Sequence, residues 1–135
     1  MDASGEDDGI EFRAIEQDCA RLIARYANLN DAARWEELAD LYAEEGRMAR
    51  PSAPDLWIVG RAAILAAFQA RPVRVTRHIC SNIVIQVIGA RDAEGESAML
   101  LFSDAGAPRV GSFHDRFVRT DDGWRFSERR GSLIF

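Results

Sequence analysis

Residues 75–88 read VTRHICSNIVIQVI, and the alternation of these side chains points to the fold class. With a period of two, Thr76, His78, Cys80, Asn82, Val84 and Gln86 fall on one face. Val75, Arg77, Ile79, Ser81, Ile83, Ile85 and Val87 fall on the other. A surface that rich in Ile and Val needs cover. One face is therefore expected to look onto helices and a pocket. The opposite face is expected to pack on a second copy, giving a homo-oligomer, dimer or trimer, through the back of the sheet. A loop or the N-terminal segment lying over that face is the alternative.

The period of two continues towards the C-terminus. Strands are expected over 73–88, 96–103, 110–120 and 124–134, joined by turns at 89–95, 104–108 and 121–123. In the other direction, Pro72 stops a helix expected over Arg61–Ala70, which Gly60 introduces. Short strands over 47–50 and 56–59 flank a loop holding Pro51 and Pro54. Phe12, Ile15, Cys19, Leu22, Ile23 and Tyr26 recur at helical spacing and mark a first helix over 10–29. Asn30 or Asp31 then caps a second, with Trp35, Leu38, Ala39, Leu41 and Tyr42 as its apolar stripe and Gly46 as its stop. Helices segregated from hairpin-linked strands make an α+β fold. The expected form is a curved antiparallel sheet wrapped around three helices, enclosing a cone-shaped pocket. Residues 1–9 read as a flexible acidic tail and residues 10–135 as a single domain.

Composition removes several function classes. All 17 basic residues are Arg, so no lysine is present for a Schiff base, a pyridoxal-phosphate linkage or a Walker-type phosphate loop. A net charge of −5 argues against a nucleic-acid partner. No apolar run reaches the ~20 residues of a membrane helix, and the acidic start is unlike a signal peptide. Cys19 and Cys80, without CxxC spacing, read as free thiols, which with the other features suggests a cytoplasmic setting. His78 and His114 lack partners at metal-finger spacing, so no metal and no cofactor is expected.

Asp31 sits at the junction of the first two helices, and Tyr26 precedes it by about one and a half turns. If His78 points into the same cone, Asp31 can orient its imidazole and raise its basicity, making a general base in an apolar cavity. Tyr26 can then donate to a substrate oxygen. Two plainer readings stay open beside this one: Asp31 as a helix cap, and His78 as a buried histidine bonded to backbone.

Four segments carry a resemblance. They are ARYANLND (24–31) with WEELADLYAEEG (35–46), GRAAI (60–64), RHICSN (77–82) and GSFHDRFVRTDDGWRFSERR (111–130). In this order they resemble the SnoaL-like branch of the nuclear transport factor 2-like superfamily. Scytalone dehydratase, bile-acid 7α-dehydratase and hexachlorocyclohexane dehydrochlorinase are its nearest parallels. The resemblance implies a cofactor-free lyase with an Asp–His pair at Asp31 and His78, and with Tyr26 as the dehydratases' tyrosine. It also implies pocket positions for Phe113 and Arg129. The stretch 98–102 is apolar where the bile-acid enzyme has a carboxylate, so no one dehydratase is singled out.

If Phe113 faces the pocket, alternation puts Asp115 beside it and turns His114 away; a strand-end ion pair with a neighbouring Arg is the other reading of Asp115. Arg129 in a buried setting needs Asp115 or a substrate anion as partner. Asn82 is suited to orienting a carbonyl. Trp57 fits the cone's mouth or the core, while Trp35 and Trp124 fit the core. The expected ligand is a small hydrophobic cyclic or polyketide-like molecule. The same pocket suits an isomerase, a cyclase or an epoxide hydrolase. A non-catalytic accessory protein, resembling the small subunits of ring-hydroxylating dioxygenases, belongs to a different class.

Overall fold

The computed structural model describes residues 4–133, with side chains from residue 11 onward. The elements run α1 (Ser4–Asp31), α2 (Trp35–Ala39), β1 (Tyr42–Ala49), β2 (Trp57–Val59), α3 (Arg61–Gln69), β3 (Thr76–Val87), β4 (Asp92–Ser103), β5 (Arg109–Thr120) and β6 (Gly123–Ser132). The strands form one sheet in the order β2-β1-β6-β5-β4-β3. The long strands are antiparallel to one another, but β1 lies parallel to β6, so the sheet is mixed rather than wholly antiparallel. This follows from the path. After β2 the chain crosses through α3 to the far edge and then meanders back until β6 meets β1.

β3 departs from simple alternation. Its register against β4 shifts between Ser81, opposite Ala98, and Val84, opposite Glu96. Asn82 and Ile83 together stand against the single residue Ser97 of β4, which makes a β-bulge. Asn82 adopts φ 54° there, a left-handed conformation that asparagine tolerates better than most residues. Before the bulge Thr76, His78 and Cys80 face the helices; after it Ile83, Ile85 and Val87 do, packed on the core. The Ile- and Val-rich set is therefore split, with Ile79 and Val84 left exposed on the outer face. Gly95 lies opposite Ile85, where an added Cβ would stand 2.9 Å from both Ile85 and Phe117. Glycine lets these two side chains meet over the strand.

The second helix is shorter than its apolar stripe suggests. α2 ends at Ala39, and Tyr42–Gly46 belong to β1. Pairing with β6 overrides helix propensity here. Gly46 is not a helix stop: a Cβ at this position would meet the carbonyl oxygens of Ala43 and Phe126 at 3.0 Å. α1 starts at Ser4, earlier than its apolar spacing indicates, so residues 4–9 continue the helix where a flexible tail is expected. Residues 1–3 of that expected tail, and Ile134 of the expected last strand, lie outside the described residues.

α1 and α3 cover the concave face of the sheet. Ile15, Cys19, Ile23, Leu38, Tyr42, Ile64, Phe68, Phe117 and Phe126 form the fully buried centre. The Phe117 and Phe126 rings stand 5.0 Å apart, and each such side chain contributes roughly 1.5–3 kcal/mol by burial. Among the described residues no helix is long and apolar enough to cross a membrane. Both cysteines are free.

Candidate active site

The last residue of α1 and the start of β3 meet side by side. His78 Nδ1 lies 2.6 Å from Asp31 Oδ1. The His78 backbone N–H donates to Asp31 Oδ2 at 2.8 Å, and the Thr76 hydroxyl donates to Oδ1 at 3.0 Å. One carboxylate thus holds the strand, the ring and the residue two positions earlier on the same face. α2 is not capped by Asp31: its N-cap is Arg34, with no side-chain cap bond. The cap reading of Asp31 is therefore excluded. With Nδ1–H donating to Asp31, Nε2 is the nitrogen left with a lone pair for chemistry.

His78 and Thr76 form part of the wall of a cavity of about 500 Å³ between sheet and helices. Met48, Met99, Leu101, Phe113, Trp35 and Leu133 supply its apolar lining. Tyr26 reaches the wall from α1. Its hydroxyl hydrogen-bonds the Tyr42 hydroxyl at 2.8 Å and approaches Met48 Sδ at 3.5 Å. Burial pushes both phenols up, Tyr42 well above the usual range, so both remain protonated at neutral pH.

Beneath this wall lies a second charged pair. Arg129 Nε is 3.3 Å from Asp115 Oδ1, and both side chains are almost wholly buried. Their orientation makes no hydrogen bond between them, and the Cys80 thiol of β3 is a further polar neighbour of the guanidinium. Aromatic faces surround the cation instead. Its central carbon lies 3.8 Å from the Phe113 ring centre, 4.3 Å from Tyr26 and 5.0 Å from Phe126. Burial lifts the Asp115 carboxyl to about 6, against the pull of Arg129. Burial works against the Arg129 charge as well, but Asp115 opposes it and the guanidinium stays charged.

The family model for the SnoaL-like domain matches residues 13–130. The chain belongs to the SnoaL-like domain family. Solved structures agree on the fold. A protein of Novosphingobium aromaticivorans described as NTF2-like with a cystatin-like fold superposes with a TM-score of 0.85 at 25% identity, covering 98% of this chain and 90% of that one. A second protein of that organism, provisionally named scytalone dehydratase, gives a TM-score of 0.76 at 26% identity, covering 94% and 86%. A third, provisionally named aromatic ring hydroxylase, gives 0.75 at 17% identity, covering 89% of each chain, and bears on the fold alone. No curated protein sequence matches the chain.

In this SnoaL-like domain, Asp31, His78, Tyr26, Phe113 and Arg129 gather at one cavity. Three expected binding residues do not. Asn82 sits exposed at the bulge, because the extra residue in β3 turns it off the pocket face. Asp115 lies behind Arg129, enclosed and away from the cavity wall. Trp57 is on β2, where the Arg47 guanidinium stacks over it at 4.0 Å and Arg130 at 5.5 Å. His114 is on the outer face, 4.0 Å from Glu96.

Other site residues have little or no signature in the sequence. Tyr42 lies in a stretch whose local pattern is helical, and Met48 in a strand too short to show its face. Trp35, expected in the core, lines the cavity while stacking on Phe68 at 5.9 Å. Thr76 does carry a usable signal, since it shares a strand face with His78 two residues on. Among the described residues no group of three His, Cys, Asp or Glu side chains gathers to hold a metal.

Proposed function

We propose that the protein is a cofactor-independent lyase, of dehydratase or dehydrohalogenase type, acting on a small cyclic or polyketide-like substrate. The observation that carries this is the 2.6 Å contact of His78 Nδ1 with Asp31 at the wall of an apolar cavity. Asp31 holds the imidazole in one tautomer, and His78 Nε2 takes a proton from a carbon beside a leaving group. The C–H electron pair becomes the new double bond as the C–O or C–halogen bond breaks. In a dehydration the imidazolium returns its proton to the departing hydroxyl, which leaves as water. Tyr26, backed by Tyr42, hydrogen-bonds the oxygen on which charge develops. Apolar walls limit water and strengthen each of these contacts.

An isomerase would begin with the same proton abstraction and differ only in returning the proton to another carbon. Product analysis separates the two. The test is turnover of a panel of cyclic alcohols, halides and ketones by the native protein, by Asp31→Asn and by His78→Ala. The expected result is β-elimination by the native protein and its loss in both variants. Full turnover by both variants of any substrate found would sink the dyad.

The protein is also read as a homo-oligomer working in the cytoplasm. Ile79, Val84, Leu100, Phe102 and Val110 stand exposed together on the outer face of β3, β4 and β5, which supports a second copy as their cover. Light scattering on native protein and on Val84→Glu tests this. A monomer in both cases contradicts it.

A further inference from the structure

The chain has 22 acidic and 17 basic residues, yet its cavity is lined by five arginines and by no aspartate or glutamate. Arg50, Arg71, Arg74, Arg109 and Arg129 are the five. Asp31 stands behind His78 and Asp115 behind Arg129, each turned to its own partner. Asp104, held by its backbone N–H to the Val75 carbonyl, also stays out of the lining. Arg71 is tied to Asn30 and Arg50 to the Ala67 carbonyl, both neutral groups. None of Arg50, Arg71, Arg74 and Arg109 has an ion-pair partner among the described residues. Low-dielectric walls focus a field of one sign, and here the sign is positive.

We propose that the ligand of this cavity is a ring-bearing organic carboxylate, with its ring against the apolar walls and its acid group held at the mouth by Arg74 and Arg109. This rests on reading the cavity as the substrate site. Register supplies the geometry. His78 pairs with Leu101, and Leu101 pairs with Arg109, so the three stand in one row across adjacent strands, all lining the cavity. Two strand spacings put Arg109 roughly 10 Å from His78 along the sheet. One or two fused rings span that distance. Arg74, four residues before His78, enters the mouth from the segment between α3 and β3. Both arginines are exposed, and a planar guanidinium matches a carboxylate through two parallel hydrogen bonds. Arg129 belongs to a different layer, because rings cover its guanidinium and Asp115 offsets its charge.

Calorimetric titration of the full chain with 2-naphthoate and 2-naphthamide tests this, with acetate and inorganic phosphate as controls. The acid and the amide share ring and size and differ in charge. The expected result is naphthoate binding about tenfold tighter than the amide at low salt, with the difference shrinking as salt is added. The double variant Arg74→Gln/Arg109→Gln is expected to abolish that preference, while Arg116→Gln, an exposed arginine of β5 outside the cavity, keeps it. Equal affinity for acid and amide overturns the proposal, as does binding of neither at millimolar concentration. Phosphate or acetate binding as tightly as naphthoate overturns it too, by showing an anion site indifferent to the ring. A preference that persists in the double variant overturns the placement at Arg74 and Arg109. Because the readout is binding, a failure of the lyase reading appears separately, as normal naphthoate preference without elimination.

Discussion

Two carboxylates in this protein face a nitrogen cation or its precursor, and they are built differently. At the cavity wall, Asp31 accepts from the His78 ring, the His78 backbone and the Thr76 hydroxyl, and the ring keeps one nitrogen free of that carboxylate. Under the wall, Asp115 and Arg129 are 3.3 Å apart, fully enclosed and without a hydrogen bond between them. The first pair is oriented by directed bonds and lies within reach of a ligand. The second is held by charge and by stacked rings. A group that exchanges protons with a substrate needs the first arrangement. The second is an electrostatic support for the aromatic floor, and its carboxylate has only the adjacent arginine to offset its desolvation.

Substitutions that separate rate from stability put this contrast at risk. The largest effect is expected for His78→Ala on the proposed elimination, a loss of about 10²–10⁴ in kcat, in the range of a lost general base. Its urea unfolding free energy should stay within about 1 kcal/mol of native. Arg129→Met should behave in the opposite way. It leaves Asp115 buried without its cation and should cost about 3 kcal/mol of stability at pH 8. The cost should shrink at pH 5, where Asp115 takes up a proton. A combined Arg129→Met/Asp115→Leu change should recover most of the loss, since well-packed apolar groups can replace a buried pair.

A third test is the pH dependence itself. Asp115 titrates at about 6 in the fold against 3.8 for the ordinary side chain. Between those values the folded state holds more protons than the unfolded one, so this group's contribution falls as pH rises from about 4 to about 6. Native stability minus that of Asp115→Asn, taken from urea midpoints, should decline through this window and level off above it. A flat difference would show that the carboxyl is not perturbed. The smallest effect is expected for Thr76→Val, which removes one of three donors to Asp31. A several-fold fall in kcat, roughly 1 kcal/mol, should accompany little change in KM.

Much of the wall pair is legible in the residue order. His78 lies in a strand whose alternation is plain, and Asp31 closes a helix whose apolar spacing is equally plain. What spacing does not carry is their contact, across 47 positions of chain. The contact exists because α1 packs along β3. The bulge at Asn82 leaves no mark that periodicity can read: one residue in a left-handed conformation sends Asn82 outward and Ile83, Ile85 and Val87 inward. The stretch from Tyr42 to Gly46 misleads for a related reason. Its local preference is helical, and its strand state comes from β6, near the other end of the chain.

Residue order alone supplies the α+β succession of elements, the long hairpin-linked strands, the exclusion of lysine chemistry and the residue types available for a base. Local periodicity and composition suffice for these, because they depend on neighbours within a turn or a strand. Packing was needed to show that Asp31 serves His78 and not a helix cap, that Asp115 lies behind Arg129, and that Trp57 and Asn82 stand outside the cavity. It also gathers five arginines, scattered from Arg50 to Arg129, around one space without an acid in its lining. Each of these facts depends on register and contact between distant segments, which the free energy of burial sets only when the whole sheet closes over its helices.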